Sequence, residues 1–431
     1  MMAVANEVLR RPWLPTDGAR WHRAPTKHFY RIDLGKMLQG KPSSRNDIAV
    51  PYLKAQHIQW GQVSFDALPS MWAHPREIDA LHLRSGDLLV CEGGEVGRCA
   101  IVDTTPPDRC IIQNAIHRVR PQKGNSTRYL SYLLQHAAHH GWFDVLCNRA
   151  TIAHFTVDKF RDFYISLPSP LEQKATADFL DRETSRIDQL VRAKEKMLGL
   201  MAEKRRTVIT RAATQGLDSS SPLRSSNISW LAKIPEHWET ERTRWLFHER
   251  DDRSETGEEE LLSVSHISGV TKRSEKDVNM FEAETNAGHK LCCKDDLVIN
   301  TLWAWMGAMG VSPIDGIVSP AYNVYTPNER LDPAYVDALV RMPVFAEEVT
   351  RYSKGIWSSR LRLYPEGFFE VSLPVPPLDE QRAIVAHIAA ETSRLDTLHT
   401  VTVKTIRLLR ERRAALIAAA VTGQLNIAET T

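Results

Sequence analysis

The stretch Glu183-Thr184-Ser185-Arg186-Ile187-Asp188 returns 208 positions later as Glu391-Thr392-Ser393-Arg394-Leu395-Asp396. Around it, Leu180 to Leu217 matches Ile388 to Leu425 without a gap. Apolar faces apolar at Ile187/Leu395, Leu190/Leu398, Met201/Leu409, Val208/Leu416 and Ile209/Ile417. Both copies close with nearly the same words, Ala212-Ala213-Thr214-Gln215-Gly216-Leu217 and Ala420-Val421-Thr422-Gly423-Gln424-Leu425. A period near half of a 431-residue chain marks the duplication of one large unit and excludes a solenoid of short repeats.

Both copies read as long helices. Leu180, Ile187, Lys194, Met201 and Val208 fall seven apart, as do Ile388, Leu395, Thr402, Leu409 and Leu416. Sustained seven-residue spacing predicts a coiled-coil stripe, with the occasional polar seam position helping to set register. A second seam is expected through Leu190, Met197 and Leu398. Pro168 and Pro170 precede the first run and Pro374, Pro376 and Pro377 the second, while Gly216 and Gly423 stand where helices should stop. Each run is about 40 residues, or about 60 Å at 1.5 Å per residue. The order is domain, helix, domain, helix, so the second helix is expected to run back along the first. The resulting approximate two-fold symmetry suits two identical partners.

The globular segments repeat more loosely. Residues 1–168 carry short strand-like runs at Val50–Leu53, Leu88–Val90, Arg98–Val102 and Ala115–Val119, then a helix expected over Thr127–His140 with Ser126 as its cap. Asp218 to Asn227 reads as a polar linker. Beyond it the first domain is retold: Trp13 and Trp21 answer to Trp230 and Trp238, His57-Ile58 to His266-Ile267, and Asp87–Val90 to Asp296–Ile299. Ile111–Pro121 answers to Ile317–Pro327, and Ser166-Leu167-Pro168 to Ser372-Leu373-Pro374. The framework matches while the loops between do not. Two identical partners on the helices and two different ligands on the loops would produce this contrast.

Charge narrows the chemistry. Lysine and arginine number 55 against 53 aspartates and glutamates, a formal +2, so any nucleic-acid role rests on local patches or on a partner's surface. The six cysteines form no Cys-x-x-Cys pair and read as reduced thiols without structural zinc. No apolar run approaches a membrane span, and Met1 to Arg11 lacks the apolar core of a signal peptide, so a cytoplasmic location is expected.

Ile234-Pro235-Glu236-His237-Trp238 is similar to the Ile-Pro-x-x-Trp opening of a target-recognition domain. Leu373-Pro374-Val375-Pro376-Pro377-Leu378-Asp379-Glu380-Gln381 is similar to the Pro-rich, Glu-Gln start of that family's spacer helices, and Leu167-Pro168-Ser169-Pro170-Leu171-Glu172-Gln173 reads as a copy two residues shorter. Over its full length the chain resembles the specificity subunit of Type I restriction–modification enzymes. The resemblance implies an α+β fold, with two α/β target-recognition domains (1–168 and 229–374) and two spacer helices (169–217 and 375–431) packed as an antiparallel coiled coil around a pseudo-two-fold axis. Residues 218–228 form the linker. It implies a non-catalytic, double-stranded DNA-binding chain whose two domains each read half of a bipartite site. Two modification subunits, methylating adenine with S-adenosylmethionine, are implied to dock on the spacer. Restriction subunits using ATP and Mg are implied to join them for translocation and cleavage. No cofactor is implied in this chain.

Base edges are read by Arg, Asn, Gln and His at loop tips, and phosphates by Arg, Lys and small polar groups. The candidates are Lys54, Gln56, His57, Arg98, Gln113, Asn114 and Arg149 in the first domain. In the second they are Ser265, His266, Trp303, Trp305, Asn323, Lys354 and Arg360. The candidates for spacer and partner docking are Leu180, Ile187, Met201, Val208, Ile388, Leu395, Leu409 and Leu416. Three local patterns point elsewhere and are set aside. Leu331-Asp332-Pro333-Ala334-Tyr335 superficially resembles an amino-methyltransferase loop but lacks its second proline and reads better as a helix cap. Glu92–Arg98 is Gly-rich without the Gly-Lys-Ser/Thr ending of a phosphate loop. His136, His139 and His140 read as a solvated helix end. A coiled-coil scaffold without DNA reading, or an enzyme with its own site, are the competing functions.

Overall fold

The computed structural model describes residues 21–147, 154–275, 285–355 and 361–425. Trp13, Arg149 and Arg360 lie outside them. Helices α1 (Thr127–His139), α2 (Pro170–Gln215), α3 (Pro333–Val340) and α4 (Leu378–Val421) organise the chain. At 46 and 44 residues, α2 and α4 are each longer than the repeat alone predicts. Pro170 opens α2 without losing a hydrogen bond, because first-turn N–H groups have no helical acceptor. Ser169 and Glu172 cap each other reciprocally: the Ser169 N–H donates to Glu172 Oε2 at 2.9 Å and the Glu172 N–H to Ser169 Oγ at 3.4 Å. Gly216 and Gly423 end the two helices at φ +74° and +78°, the left-handed region that favours glycine.

The seam corrects the sequence in one respect. Leu180, Ile187 and Val191 are buried along α2, with Thr184 between them, so the stripe steps by four and then three residues. The intermediate row is therefore Thr184, Val191 and Leu198, four beyond the first row. Leu190, Met197 and Leu398 stand three beyond it and are 46%, 38% and 44% exposed. One residue is about 100° of helix, enough to turn a side chain from the seam to its flank.

The chain divides into two compact units, residues 1–195 with 404–431, and residues 196–403. In the first, an antiparallel sheet has the order Tyr30–Leu34, Ile116–Pro121, Leu88–Cys91, Cys99–Ile101. A second sheet sets Ile48–Leu53 between Ser70–Ala73 and the parallel strand Ile111–Ile112. Phe155, Phe160, Tyr129 and Leu134 form a core with Leu180 of α2 and Ile417, Ala420 and Val421 of α4. The Tyr129 hydroxyl donates to the Val421 carbonyl at 3.3 Å. Within this unit α2 and α4 run antiparallel, Arg413 pairing with Asp188 at 3.0 Å and Arg410 with Glu195 at 2.7 Å.

The second unit repeats the plan. Its sheet has the order Phe247–Arg250, Tyr322–Pro327, Leu297–Asn300, Met309–Val311. Tyr335, Phe345 and Phe368 pack with Ala212 and Ala213 of α2 and Ile384 of α4. The Tyr335 hydroxyl donates to the Ala213 carbonyl at 2.9 Å, and Arg205 pairs with Asp396. Adding 208 to Asp188, Arg205 and Ala213 gives Asp396, Arg413 and Val421. Each unit is thus built on the same helix register and the same buried tyrosine contact.

Three further expectations change. Leu223–Ile228, within the stretch read as a linker, is a strand paired with Leu231–Pro235, because Ile228 and Leu231 have an apolar floor to cover. Ser166-Leu167-Pro168 does not correspond to Ser372-Leu373-Pro374. Strand Tyr164–Leu167 matches Ser372–Val375 at the same 208 offset as the helices, so the first copy is not shorter. A slip of two preserves which face each side chain takes, which is why wording alone misaligns it. His136 is buried at 7% exposure, and only His139 and His140 lie at an exposed helix end.

Candidate nucleic-acid interface

In the first unit several candidates meet where strand Ile48–Leu53 ends. The Gln113 N–H donates to the Leu53 carbonyl at 3.0 Å and the Asn114 N–H to the Lys36 carbonyl at 2.9 Å, which places Gln113 and Asn114 beside Lys54. Gln56 is exposed on the following turn, and the Lys54 ammonium lies 5.9 Å from the Tyr52 ring centroid. His57 and Arg98 hold this edge together. His57 is buried and its Nδ1 accepts from the Lys54 N–H at 2.9 Å; burial, then the Lys54 charge, lower its pKa and favour the neutral ring. Arg98 donates to the Ala55 carbonyl at 3.0 Å and to Glu95 at 3.4 Å, tying the turn to loop 92–97. That loop needs Gly97: its φ is +78°, and a Cβ there would fall 2.2 Å from the Phe143 ring. Glu95 also accepts from Trp60 Nε1 at 2.5 Å, so this carboxylate is already engaged.

The equivalent edge of the second unit is aromatic. After strand Leu297–Asn300 the chain turns through Trp303, Ala304, Trp305 and Met306 to Gly307 at φ +85°. Trp303 is 50% exposed and stacks on Trp305 with centroids 6.0 Å apart, while Trp305 Nε1 donates to the Leu302 carbonyl at 3.1 Å. Thr301 accepts from the Leu363 N–H at 3.2 Å, and Arg362 exchanges backbone hydrogen bonds with Lys354, bringing Lys354 to the same edge. Asn323 sits within its strand opposite Ile299 and is 9% exposed, at the position of buried His117 in the first unit. Ser265 and His266 belong to a different place. They lie in the turn closing Leu262–Ser265 on Gly269–Lys272, beside Ile267, whose carbonyl accepts from Arg341 at 2.8 Å.

The helix candidates are mostly seam residues. Leu180, Ile187, Met201 and Leu395 are buried, and Val208, Ile388, Leu409 and Leu416 half-buried, so they join helix to helix or helix to domain. The apolar side chains that stay open are others. The first unit exposes Leu190 and Leu408, and the second exposes Leu398 and Leu200, the same two positions by the 208 offset. Sequence reasoning also missed what the glutamine of the Glu-Gln motif does. Gln173 and Gln381 are fully buried. Gln173 Oε1 accepts from the Ser126 N–H at 2.9 Å and Gln381 Oε1 from the Asp332 N–H at 2.7 Å, and these two donors belong to the residues that cap α1 and α3. The signal was present in the repeated motif, but its partner lies 47 or 49 residues away.

Residues 33–197 match the family model described as Type I restriction modification DNA specificity domain. No curated protein matches its sequence. One solved chain, from work on complex assembly and conformational transition of the type I R-M system, is 15% identical with a TM-score of 0.71. That match covers 94% of this chain and 99% of the other. The HsdS subunit from Thermoanaerobacter tengcongensis is also 15% identical, with a TM-score of 0.55 and coverage of 96% and 98%. These structures share the fold of this chain. Among its described residues no three His, Cys, Asp or Glu side chains are grouped to hold a metal, and no helix is long and apolar enough to cross a membrane.

Proposed function

We propose that this chain reads a bipartite DNA site, one half through each globular domain, as the non-catalytic specificity adaptor of a Type I restriction–modification complex. The carrying observation is the split between what the two units share and what they do not. The Asp188–Arg413 and Arg205–Asp396 pairs coincide under one offset, and so do the Val421 and Ala213 carbonyls that Tyr129 and Tyr335 reach. The loops at the sheet edges do not: one is Gly-rich with Glu95 tied to Trp60 and Arg98, the other carries stacked tryptophans. Identical scaffolds with unlike loops fit two identical partners and two different half-sites. Lys54, Gln56, Gln113, Asn114, Trp303, Trp305 and Lys354 are the proposed DNA contacts, and His57 and Arg98 position them. Leu190 with Leu408, and Leu398 with Leu200, are the proposed dock for two modification subunits. S-adenosylmethionine belongs to those subunits, and ATP with Mg to the restriction subunits.

The test is to exchange residues 229–374 for the matching domain of a relative and map methylated adenines in a complex with modification subunits. One half of the target should change and the other stay. A change in both halves would show that the domains read one continuous site together.

A further inference from the structure

The two units differ sharply where their domains meet the helices. In the first, Arg128 pairs with both Asp178 and Asp181, the latter at 2.6 Å. The Tyr132 hydroxyl donates to Asp181 at 2.7 Å and lies 3.2 Å from Thr184 Oγ1. This polar network fills the angle between α1 and α2. The equivalent positions in the second unit are Ala334 for Arg128, Ala338 for Tyr132, Ala386 for Asp178 and Ala389 for Asp181. Four side chains are cut back to methyl groups, and a cleft of about 440 Å³ opens against three of them, Ala334, Ala338 and Ala389.

The cleft has a definite chemistry. Its floor is apolar, from Ile209, Val385 and Ile388. Arg205, Arg206, Arg341 and His266 line it above, against one carboxylate, Asp337. Arg205 is engaged by Asp396, and Arg341 by Asp337 at 3.5 Å and by the Ile267 carbonyl. Arg206 has no ion-pair partner among the described residues. A volume of this size lies within the range of small-molecule sites, which are mostly apolar with a few convergent polar groups.

We propose that this cleft binds a small amphipathic organic anion, an apolar body seated on Ile209, Val385 and Ile388 with its acid group toward Arg206 and Arg341. The bound molecule takes the place of the side chains that brace α1 against α2 in the first unit, so it braces α3 against the helices in the second. Such a ligand stabilises the second unit by mass action. The proposal is independent of which DNA sequence the domains read.

The experiment uses the full chain alone with 8-anilinonaphthalene-1-sulfonate, an aromatic body carrying one sulfonate. Its fluorescence should titrate to one site per chain. Arg206→Glu, an exposed change, should weaken binding at least fivefold. Ala334→Arg with Ala338→Tyr and Ala389→Asp, which restores the first unit's filling, should abolish it with the circular dichroism unchanged. If the filled variant misfolds, Arg206→Glu decides. The uncharged analogue N-phenyl-1-naphthylamine should bind at least tenfold more weakly. Several weak sites, indifference to Arg206→Glu, or equal affinity for the neutral analogue would each overturn the proposal. So would displacement of the probe by modification subunits, which would make the cleft a protein–protein contact.

Discussion

Replacing Gln381 by alanine should unlatch the second unit alone. Gln381 makes three hydrogen bonds: Oε1 accepts from the Asp332 N–H at 2.7 Å, and Nε2 donates to the Arg330 carbonyl at 2.8 Å and the Pro376 carbonyl at 2.9 Å. The side chain is fully buried, so three backbone groups lose their partner together. Leaving a buried polar group unsatisfied costs about 1–3 kcal/mol, so about 3 kcal/mol is expected if water regains part of the loss. For a unit near 200 residues, 1 kcal/mol moves the midpoint by about 2–4 °C, which predicts a fall of about 6–12 °C. Hydrogen exchange read by mass spectrometry resolves the two units. Protection should drop across residues 196–403 and hold elsewhere, and Gln173→Ala should do the converse. Gln381→Glu should be worse than alanine, because a carboxylate oxygen would face two carbonyls where an N–H₂ donated. A loss under about 1 kcal/mol, or a Glu variant as stable as wild type, would refute this role for the glutamine.

Other outcomes follow from the same contrasts. Burial holds the pKa of His117 and of His136 down to about 4, from an ordinary 6.5, so the unfolded chain takes up these protons first. Their stabilisation is complete above pH 6.5 and lost as pH falls from 6.5 toward 4. The second unit has Asn323 and Met342 at these positions, so thermal melts over that range should destabilise the first unit selectively, and His117→Asn should flatten the slope. Leu395→Asp buries a carboxylate in the seam and should separate the helices, whereas Leu398→Asp, already 44% exposed, should leave the fold intact and impair only capture of modification subunits in a pull-down. One heptad inserted at matching depth in α2 and α4 adds about 10 Å, close to three base-pair rises. Methylation mapping should show a gap wider by about three base pairs and a weaker complex, since those pairs turn DNA by about 100° while a helix drifts about 20° per heptad.

Elements governed by near neighbours were legible in the sequence. Ser126 and Asp332 cap their helices as their side-chain chemistry demands, the strand-like runs became strands, and the seven-residue row from Leu180 to Val208 is the seam. Period alone could not choose between rows three and four residues along, because both carry leucine or methionine. The partner of each row is a distant helix, and only contact with it decides which row is covered. The candidate site was legible as residue types and not as roles. His57 and Arg98 have the right chemistry for base edges, yet hydrogen bonds to Lys54, Ala55 and Glu95 turn them inward. Asp87 and Asp296 repeat in sequence without declaring their work, which is to receive an arginine and a backbone N–H at the start of a central strand: Arg120 and Arg84 for one, Arg250 and Cys293 for the other. The arginine pairings span 33 and 46 residues, where local pattern carries no information.

The division of the chain into units has a consequence for how it is made. The second unit is a single uninterrupted stretch, whereas the first is completed only by residues 404–431. As synthesis proceeds from the N-terminus, the earlier domain must wait, with Tyr129, Phe155 and Leu180 lacking the cover of Ile417, Ala420 and Val421, until the last helix emerges. The later domain therefore matures first. A stop codon near residue 404 would spare the second unit and injure the first. During that interval the unfinished domain is the part of the nascent chain most in need of a chaperone.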